Sequence, residues 1–486
     1  MAKKISIDPI TRLEGHGKIE IFLDDDGNVK NAYLQVPELK GFEQFCVGRP
    51  VEELARITPR ICGVCPTTHH MCSTKALDAV YHVKPTETAL KLRRLIYDAF
   101  MAEDHLLHFF FLGGPDFVVG PNAPAGERNI LGVIGKVGVE IGKKVIDMRR
   151  RLRSIITHLG GRVIHPVCGL PGGISKGLAE DQRQAFLKVA KDSVEFSKFC
   201  LQVFNDIVLK NDTYLDLIVG DIFQHQTYYM GLVDENNKED LYDGMVRVVD
   251  PTGKEYVKFA GKDYLDHIVE HVEPWSYIKF PYLKNVGWKG FEDGIDSGVY
   301  RVAPLARLNV ADGMKTPLAQ AEYEKMFETL GKPSHHTLAF HWARLIEVMY
   351  VCEEMVQLLE DKFITNPDIR NLPTETPDEG VGVIEAPRGT LFHHYKTDEN
   401  GMVSGVNLIV ATVNNSAAIS MSIAKAAKNL IKNGKVDDGL LNMVEMAFRP
   451  YDPCLACATH SLPGKMPLIV NIRDKNREII KKIKRD

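Results

Sequence analysis

The chain has 486 residues, 44% of them apolar and 26% charged, with a formal net charge of −4. That length exceeds what one growing core usually supports, so two or three subdomains around a shared, deep interior are expected. The charge leaves no basic footprint for nucleic acid, and neither a signal core at the amino end nor a run of about 18 apolar residues is present, which points to the cytoplasm.

The opening reads as strands. KISIDPI, GKIEIFLD and NVKNAYLQV alternate apolar and polar residues, the last two joined by the turn signal Asp25-Asp26-Gly27-Asn28. Four long stretches then carry helical spacing: Thr86 to Leu112, Glu127 to Leu159, Leu178 to Leu209 and His336 to Glu360. Helices of that length predict a bundle core. Asp221 to Leu330 is richer in Gly, Asp, Tyr and short β-like runs such as EYVKFAG, and reads as a mixed α+β excursion from the bundle. GVGVIEAPRGTLFHHY and GVNLIVATV look like strands, followed by a helix from about Ser416 to Lys432 and another leading into the last cysteines. The expected fold is mainly α with peripheral β, a multi-subdomain α+β chain with a small N-terminal sheet. Its parts are a β-rich segment 1–60, a helical core 61–220, the excursion 221–330, a helix and strand return 331–460, and an extension 461–486.

Nine cysteines lie at positions 46, 62, 65, 72, 168, 200, 352, 454 and 457, an odd and sparse set that makes no disulfide framework. Two pairs have the CxxC spacing, Cys62/Cys65 and Cys454/Cys457, which lets two sulfurs converge on one metal. One pair alone reads equally as a redox dithiol or as half of a structural zinc site. Pairs at opposite ends of a chain argue against a compact zinc module, whose ligands gather within a few tens of residues. Soft thiolates select zinc, iron, nickel or copper(I), and four of them carry more charge than one divalent ion neutralises. Two metals sharing thiolate bridges would resolve that.

The flanks of the pairs identify a family. RLEGHG near the start, RICGVCPTTHH around the first pair and DPCLACATH around the second resemble the signature segments of nickel–iron hydrogenase large subunits. GFE at Gly41 to Glu43, EDHLLHFF at Glu103 to Phe110, HPVCGLPGG at His165 to Gly173 and EAPRG at Glu385 to Gly389 fall in the family's order. The resemblance implies that fold. It also implies reversible splitting of dihydrogen at a nickel–iron centre, with nickel held by Cys62, Cys65, Cys454 and Cys457 and iron bridged through Cys65 and Cys457. The iron's carbon monoxide and cyanide ligands come from the resemblance alone.

A proton acceptor must lie close to a thiolate in such chemistry, and Glu14 of RLEGHG is the candidate to relieve Cys454 of its proton. Read without the family, Glu14 would be a structural carboxylate in the turn before Gly15. Arg388, Pro387, Asp104 and Asp452 resemble the family's residues over the open side of the metals, where a guanidinium held by two carboxylates presents fixed donors. Alone they would read as ion pairs at a surface or a helix cap. His69, four residues after Cys65, is expected to donate an N–H to a bridging sulfur. Glu43 and His460 resemble the ligands of a second metal, magnesium or iron. The other five cysteines read as small buried residues.

Two electrons then need an acceptor, yet the chain has no cluster spacing of its own, no GxGxxG fingerprint and no P-loop. The resemblance therefore implies a partner, the family's iron–sulfur small subunit. The RICGVCPTTHH and DPCLACATH forms look most like the cytosolic multimeric group. Within it, the methyl-viologen-reducing type of methanogens, which feeds heterodisulfide reductase and ferredoxin by electron bifurcation, is favoured over NAD-linked and deazaflavin-reducing types. In this family a maturation protease often cuts after the last motif histidine, here the bond His460–Ser461. Alternatives from other classes are a zinc-bound structural protein and an electron-transfer scaffold without metal.

Overall fold

A computed structural model of the chain describes residues 4–459, 468–473 and 478–485. The alternating residues at the amino end form the antiparallel strands Lys4–Ile7, Lys18–Leu23 and Val29–Gln35, with Ile19, Ile21 and Leu34 turned to the core. Gly27 takes φ 80° in the turn that joins the last two, a conformation glycine adopts without strain.

The helical core is built on Phe340–Glu360, which is buried on nearly all sides. It packs between Glu180–Phe204 and Glu87–Leu107, and Val139–Gly160 lies on the outer side of the latter. Its mostly apolar residues suit the middle of a bundle, and the buried Glu347 on it is paired with Arg307. Thr86 caps Glu87–Leu107 by accepting the N–H of Ala89 at 3.2 Å.

Three helical stretches differ from expectation, one of them Leu178 to Leu209, which is α-helical over Glu180–Phe204 and ends in a π-type turn, Asn205–Leu209. Glu127 to Leu159 is broken into Ile130–Val137 and Val139–Gly160, because Gly138 turns the chain at φ 94°. Thr86 to Leu112 stops being α-helical at Leu107 and widens into a π-type turn, His108–Gly113, which then delivers Asp116 in the short helix Pro115–Val118. Such insertions re-aim side chains and recur at functional sites.

Within 221–330 a four-stranded sheet runs in the order Tyr300–Arg301, Tyr228–Val233, Met245–Val249, Glu255–Phe259, followed by helices Pro304–Val310 and Pro317–Leu330. The later strands Glu379–Ala386, Gly389–Thr397 and Val403–Ile409 form an antiparallel sheet laid on the helix Pro66–Val80. Gly382 permits that approach, since a Cβ there would lie 2.2 Å from the carbonyl oxygen of Cys72. The third strand is shorter than GVNLIVATV suggested, because Ala411–Asn414 turns helical and brings Thr412 inward. No helix among the described residues is long and apolar enough to cross a membrane.

Candidate metal centre

Cys62 follows the 3-10 turn Thr58–Ile61, and Cys65 stands at the amino end of the helix Pro66–Val80. Pro66 suits the first helical position, where an N–H would have no partner. The turn between the cysteines aims the N–H groups of Val64 and Cys65 at Cys62 Sγ, at 3.2 and 3.3 Å. Cys454 and Cys457 arrive from the other end of the chain around the 3-10 turn Leu455–Ala458. Asp452 bends the chain inward with φ 55°, and Cys454 N donates to Thr412 Oγ1 at 3.1 Å.

The sulfurs converge. Cys62 Sγ lies 3.3 Å from Cys454 Sγ, Cys65 Sγ 3.4 Å from Cys457 Sγ, and Cys454 Sγ 2.8 Å from Cys457 Sγ. All four lie within 4.8 Å of one another, and all four residues are buried. Metal–thiolate bonds of about 2.3 Å place sulfurs that share an ion at most roughly 4.6 Å apart, so the cluster fits a thiolate-held centre. Hydrogen bonds from neighbouring thiols and from N–H groups hold Cys62 well below the usual thiol range, whereas burial pushes Cys454 and Cys457 well above it.

Glu14 is brought to this cluster by a short parallel ladder. Its N–H donates to Pro453 O at 3.3 Å, and Leu455 N donates to Glu14 O at 2.9 Å. Glu14 Oε2 then accepts from Cys454 Sγ at 3.0 Å and from Ala456 N at 3.1 Å. Burial and the nearby Cys62 charge raise the Glu14 pKa, partly offset by those two hydrogen bonds. Gly15 makes the approach possible, for a Cβ at its φ of 86° would meet Ala456 N at 2.6 Å.

On another side of the cluster, the EAPRG turn links the strand pair where Ala386 faces Gly389, leaving Pro387 and Arg388 at the tip. Arg388 Nη2 lies 3.2 Å from Asp104 Oδ1 and 2.8 Å from Asp452 Oδ2, and Nη1 donates to Asp104 Oδ2 at 3.2 Å. All three residues are buried. Burial opposes the charge on Arg388, but Asp104 and Asp452 outweigh it and raise its pKa well above the usual value.

Burial lowers His69 to about 4, which leaves it neutral. Its Nδ1 meets His393 Nε2 at 3.1 Å, and His393 Nδ1 meets Tyr395 Oη at 2.6 Å. Glu43 is buried and accepts the N–H of Leu408 at 2.8 Å. Glu270 bonds Lys279 through Oε2 at 2.7 Å, while its buried Oε1 has no partner among the described residues. Burial raises the Glu270 pKa, and the charge of Glu43 adds to the rise. His460 lies outside the described residues. Cys46, Cys72, Cys168, Cys200 and Cys352 are buried free thiols.

Sequence reasoning missed Thr412, Glu270 and His393, which lie far along the chain from the residues they serve. His393 had one faint signal, standing four residues after Gly389 of EAPRG.

Comparisons with known proteins agree over nearly the whole chain. A family model described as nickel-dependent hydrogenase matches residues 40–126 and 217–460, and one described as HoxL-like matches residues 4–39. An iron-sulfur subunit of the F420-non-reducing hydrogenase of Archaeoglobus profundus is 51% identical over 484 residues, 99% of each chain. A subunit of the F420-non-reducing hydrogenase of Methanothermobacter marburgensis is 41% identical over 99% of this chain and 100% of its own length. Among solved structures, an NAD+-reducing [NiFe]-hydrogenase in the H2-reduced state superposes with a TM-score of 0.88 at 37% identity, covering 94% of this chain and 99% of its own. The Ni-Fe-Se hydrogenase of D. vulgaris Hildenborough superposes at 0.74 with 25% identity, covering 95% and 100%.

Proposed function

The chain belongs to the nickel-dependent hydrogenase family and is the catalytic large subunit of a nickel–iron hydrogenase, and on that footing we propose how its residues divide the work. Cys62, Cys65, Cys454 and Cys457 would hold the nickel–iron centre, Cys65 and Cys457 being the two thiolates that would serve both metals, and carbon monoxide and cyanide would be the iron's further ligands. When bound, the two metals supply the site at which dihydrogen is polarised and parted into protons and electrons.

The protein's own part is proton handling and orientation. Cys454 Sγ lies 3.0 Å from Glu14 Oε2, a distance at which the carboxylate can take a proton from the sulfur directly. That single contact, between residues near opposite ends of the chain, carries the reading. Ala456 N donates to the same oxygen and keeps the carboxylate aimed at the thiol. Arg388, locked between Asp104 and Asp452, presents fixed donors on another side, and Pro387 holds the turn that aims it. His69 would tune a bridging sulfur through its other ring nitrogen, its orientation set by His393.

The test is Glu14→Gln, purified with its partner subunit. Nickel and iron content should stay at the wild-type level, while isotope exchange between dihydrogen and water slows by on the order of 10²–10⁴, the contribution typical of general acid–base catalysis. Normal exchange in a metal-replete variant would refute the role. Metal analysis guards the wider reading, since one zinc and no nickel per chain would make this a structural site.

A second metal, magnesium or iron, is proposed at Glu43 and His460. The buried Oε1 of Glu270 near Glu43, which has no partner among the described residues, supports it, being suited to a water on such an ion. Glu270 joins the set as a residue of the outer ring.

Relatives of this chain are named as subunits of hydrogenases, so it works with partner subunits. The immediate electron acceptor we propose is an iron–sulfur small subunit, with heterodisulfide reductase and ferredoxin beyond it, in the cytoplasm. Likeness to F420-non-reducing subunits at 41–51% identity, against 37% for the NAD-reducing hydrogenase HoxS subunit beta of Cupriavidus necator, supports the methyl-viologen-reducing type over NAD-linked and deazaflavin-reducing ones. Identification of the chains that co-purify decides this, and mass measurement of the large subunit decides whether a maturation protease cuts at His460–Ser461.

A further inference from the structure

Behind the Glu14–Cys454 contact lies a second buried polar cluster that the chemistry above does not use. Asp116, delivered by the π-type turn and the short helix Pro115–Val118, is 1% exposed. Its Oδ1 accepts from Arg12 Nη2 at 2.5 Å, from Arg449 Nη1 at 2.9 Å and from Asn442 Nδ2 at 3.3 Å, and its Oδ2 accepts from Arg449 Nη1 at 3.0 Å. Asn442 Oδ1 in turn accepts from both guanidinium groups, at 3.0 and 2.9 Å. Glu445 completes the set. It receives Arg449 Nη2 on Oε2, the Thr11 hydroxyl on Oε2 at 2.8 Å and Thr11 N on Oε1 at 3.0 Å. Two guanidinium groups thus face two carboxylates, and the cluster is neutral as a whole, the condition under which buried charges are tolerated.

The placement matters more than the energy. Arg12 stands two residues before Glu14, and Arg449 stands five residues before Cys454. The two segments continue from the cluster as the parallel ladder that pairs Glu14 with Cys454. Arg12 adopts φ 57°, a conformation that an arginine takes only where its surroundings impose it. Arg12 Nη1 also donates to Leu112 O at 3.0 Å, which ties the same segment to the π-type turn. A ladder this short does not fix its own register, and a slip of one residue turns each side chain to the opposite face. Glu14 would then point away from Cys454.

We propose that Asp116 is a positioning residue for proton transfer: by gripping Arg12 and Arg449 together it sets the register of the ladder that holds Glu14 Oε2 against Cys454 Sγ. This deepens the role proposed for Glu14 and rests on it. Asp116 touches neither the sulfurs nor Glu14, and it acts only through the two arginines.

The experiment uses the assembled hydrogenase with Asp116→Asn, alone and combined with Glu14→Gln. Asparagine keeps the shape but loses the charge that holds two guanidinium groups. Expected are unchanged nickel and iron, dihydrogen–water isotope exchange slowed about tenfold, and no further slowing, within twofold, when the change is added to Glu14→Gln. Hydrogen exchange followed by mass spectrometry should show the Glu14 and Leu455 amides losing protection at least tenfold. A structural role alone would slow both backgrounds by the same factor, in step with lost nickel, and that outcome overturns the proposal. So does wild-type exchange with the amides still protected. If Asp116→Asn assembles without nickel, Arg12→Lys decides, because Arg12 lies at the edge of the cluster. It should slow exchange at least threefold with full nickel and loosen the same amides, and wild-type behaviour in both readouts overturns the register role. Glu14→Gln at the normal rate would instead remove the proton acceptor, leaving the amide protection to report on Asp116 independently.

Discussion

Cys62 and Cys65 stand at the amino end of a long helix, where two backbone N–H groups already point at a sulfur. Cys454 and Cys457 stand in a one-turn 3-10 segment, where the Cys454 thiol donates to a carboxylate and the neighbouring chain is pressed close. The motif is the same, CxxC, yet the surroundings of Cys62 and Cys454 differ in sign. Thiol and backbone donors favour the anionic form of the Cys62 sulfur. A carboxylate held against a buried thiol stabilises one that carries a proton and can pass it on. The spacing of two cysteines thus fixes only that their sulfurs can converge, and the groups around them would divide anchoring from proton handling in the way proposed above.

Glycine substitutions break that comparison most sharply. Gly63, inside the first pair, has nothing within 4 Å of the place a Cβ would take, whereas at Gly15 that place lies 2.6 Å from Ala456 N with φ 86°. Gly63→Ala should leave nickel content and thermal stability unchanged. Gly15→Ala should cost roughly 1–3 kcal/mol from overpacking, with left-handed strain added, and should separate Glu14 from Cys454. Nickel content and dihydrogen oxidation measured on both variants test this, with a loss of a hundredfold or more expected only for Gly15→Ala. Equal tolerance at the two glycines would mean that the second pair is no more crowded than the first.

Arg388 sharpens the contrast at a smaller scale. It ties Asp452, on the approach to the second pair, to Asp104 on the helix Glu87–Leu107. Arg388→Lys keeps the charge but cannot span two carboxylates as a planar fork does. Turnover should fall by about tenfold to a hundredfold with the metals retained, the loss lying in kcat more than in KM. A change confined to KM would instead make Arg388 a group that admits substrate.

The sequence exposes these two regions unevenly. Cysteine spacing, the RLEGHG and EAPRG segments and the helical periods are local patterns, and the structure brings the four cysteines together, with Glu14 beside Cys454. Contacts across the chain leave no such trace. Asp116 lies more than a hundred residues from Arg12 and more than three hundred from Arg449, and arginine with aspartate is the commonest vocabulary of a solvated surface. Nothing local marks these residues as buried. The break at Gly138 and the π-type turn at His108–Gly113 were hidden for a related reason, since the apolar period runs on through both while the backbone changes course. Likewise Ala411–Asn414 has the β-branched residues of a strand but is turned into a helix by the packing that buries Thr412.

The gentlest probe of the two sides is acid. On the first side, His70 of the helix Pro66–Val80 is buried and neutral. Its Nδ1 donates to Ala55 O at 2.7 Å, and its Nε2 accepts from Gly169 N at 2.8 Å and Cys168 N at 3.1 Å, an arrangement only the neutral ring can make. Burial, with the nearby Arg93 charge, lowers its pKa to about 4. Between about pH 6.5 and 4 the unfolded chain therefore binds a proton that the folded chain refuses, so this side loses stability as pH falls through that window. At pH 5.5 the loss is about 1.4 kcal/mol, one pH unit of differential protonation. For Asp116 on the second side the sign is the same but the window lies lower. Arg449 and Arg12 overcome burial and depress the Asp116 pKa below its usual 3.8, so its contribution is intact above that value and is lost only as pH falls further. Amide exchange at pH 5.5 should thus quicken roughly tenfold across Pro66–Val80 relative to pH 7.5, after correction for intrinsic rates, while Glu14 and Leu455 keep their protection. Loosening of both regions together at that pH would show that the two halves of the centre open as one unit and that their different surroundings do not govern how each is held.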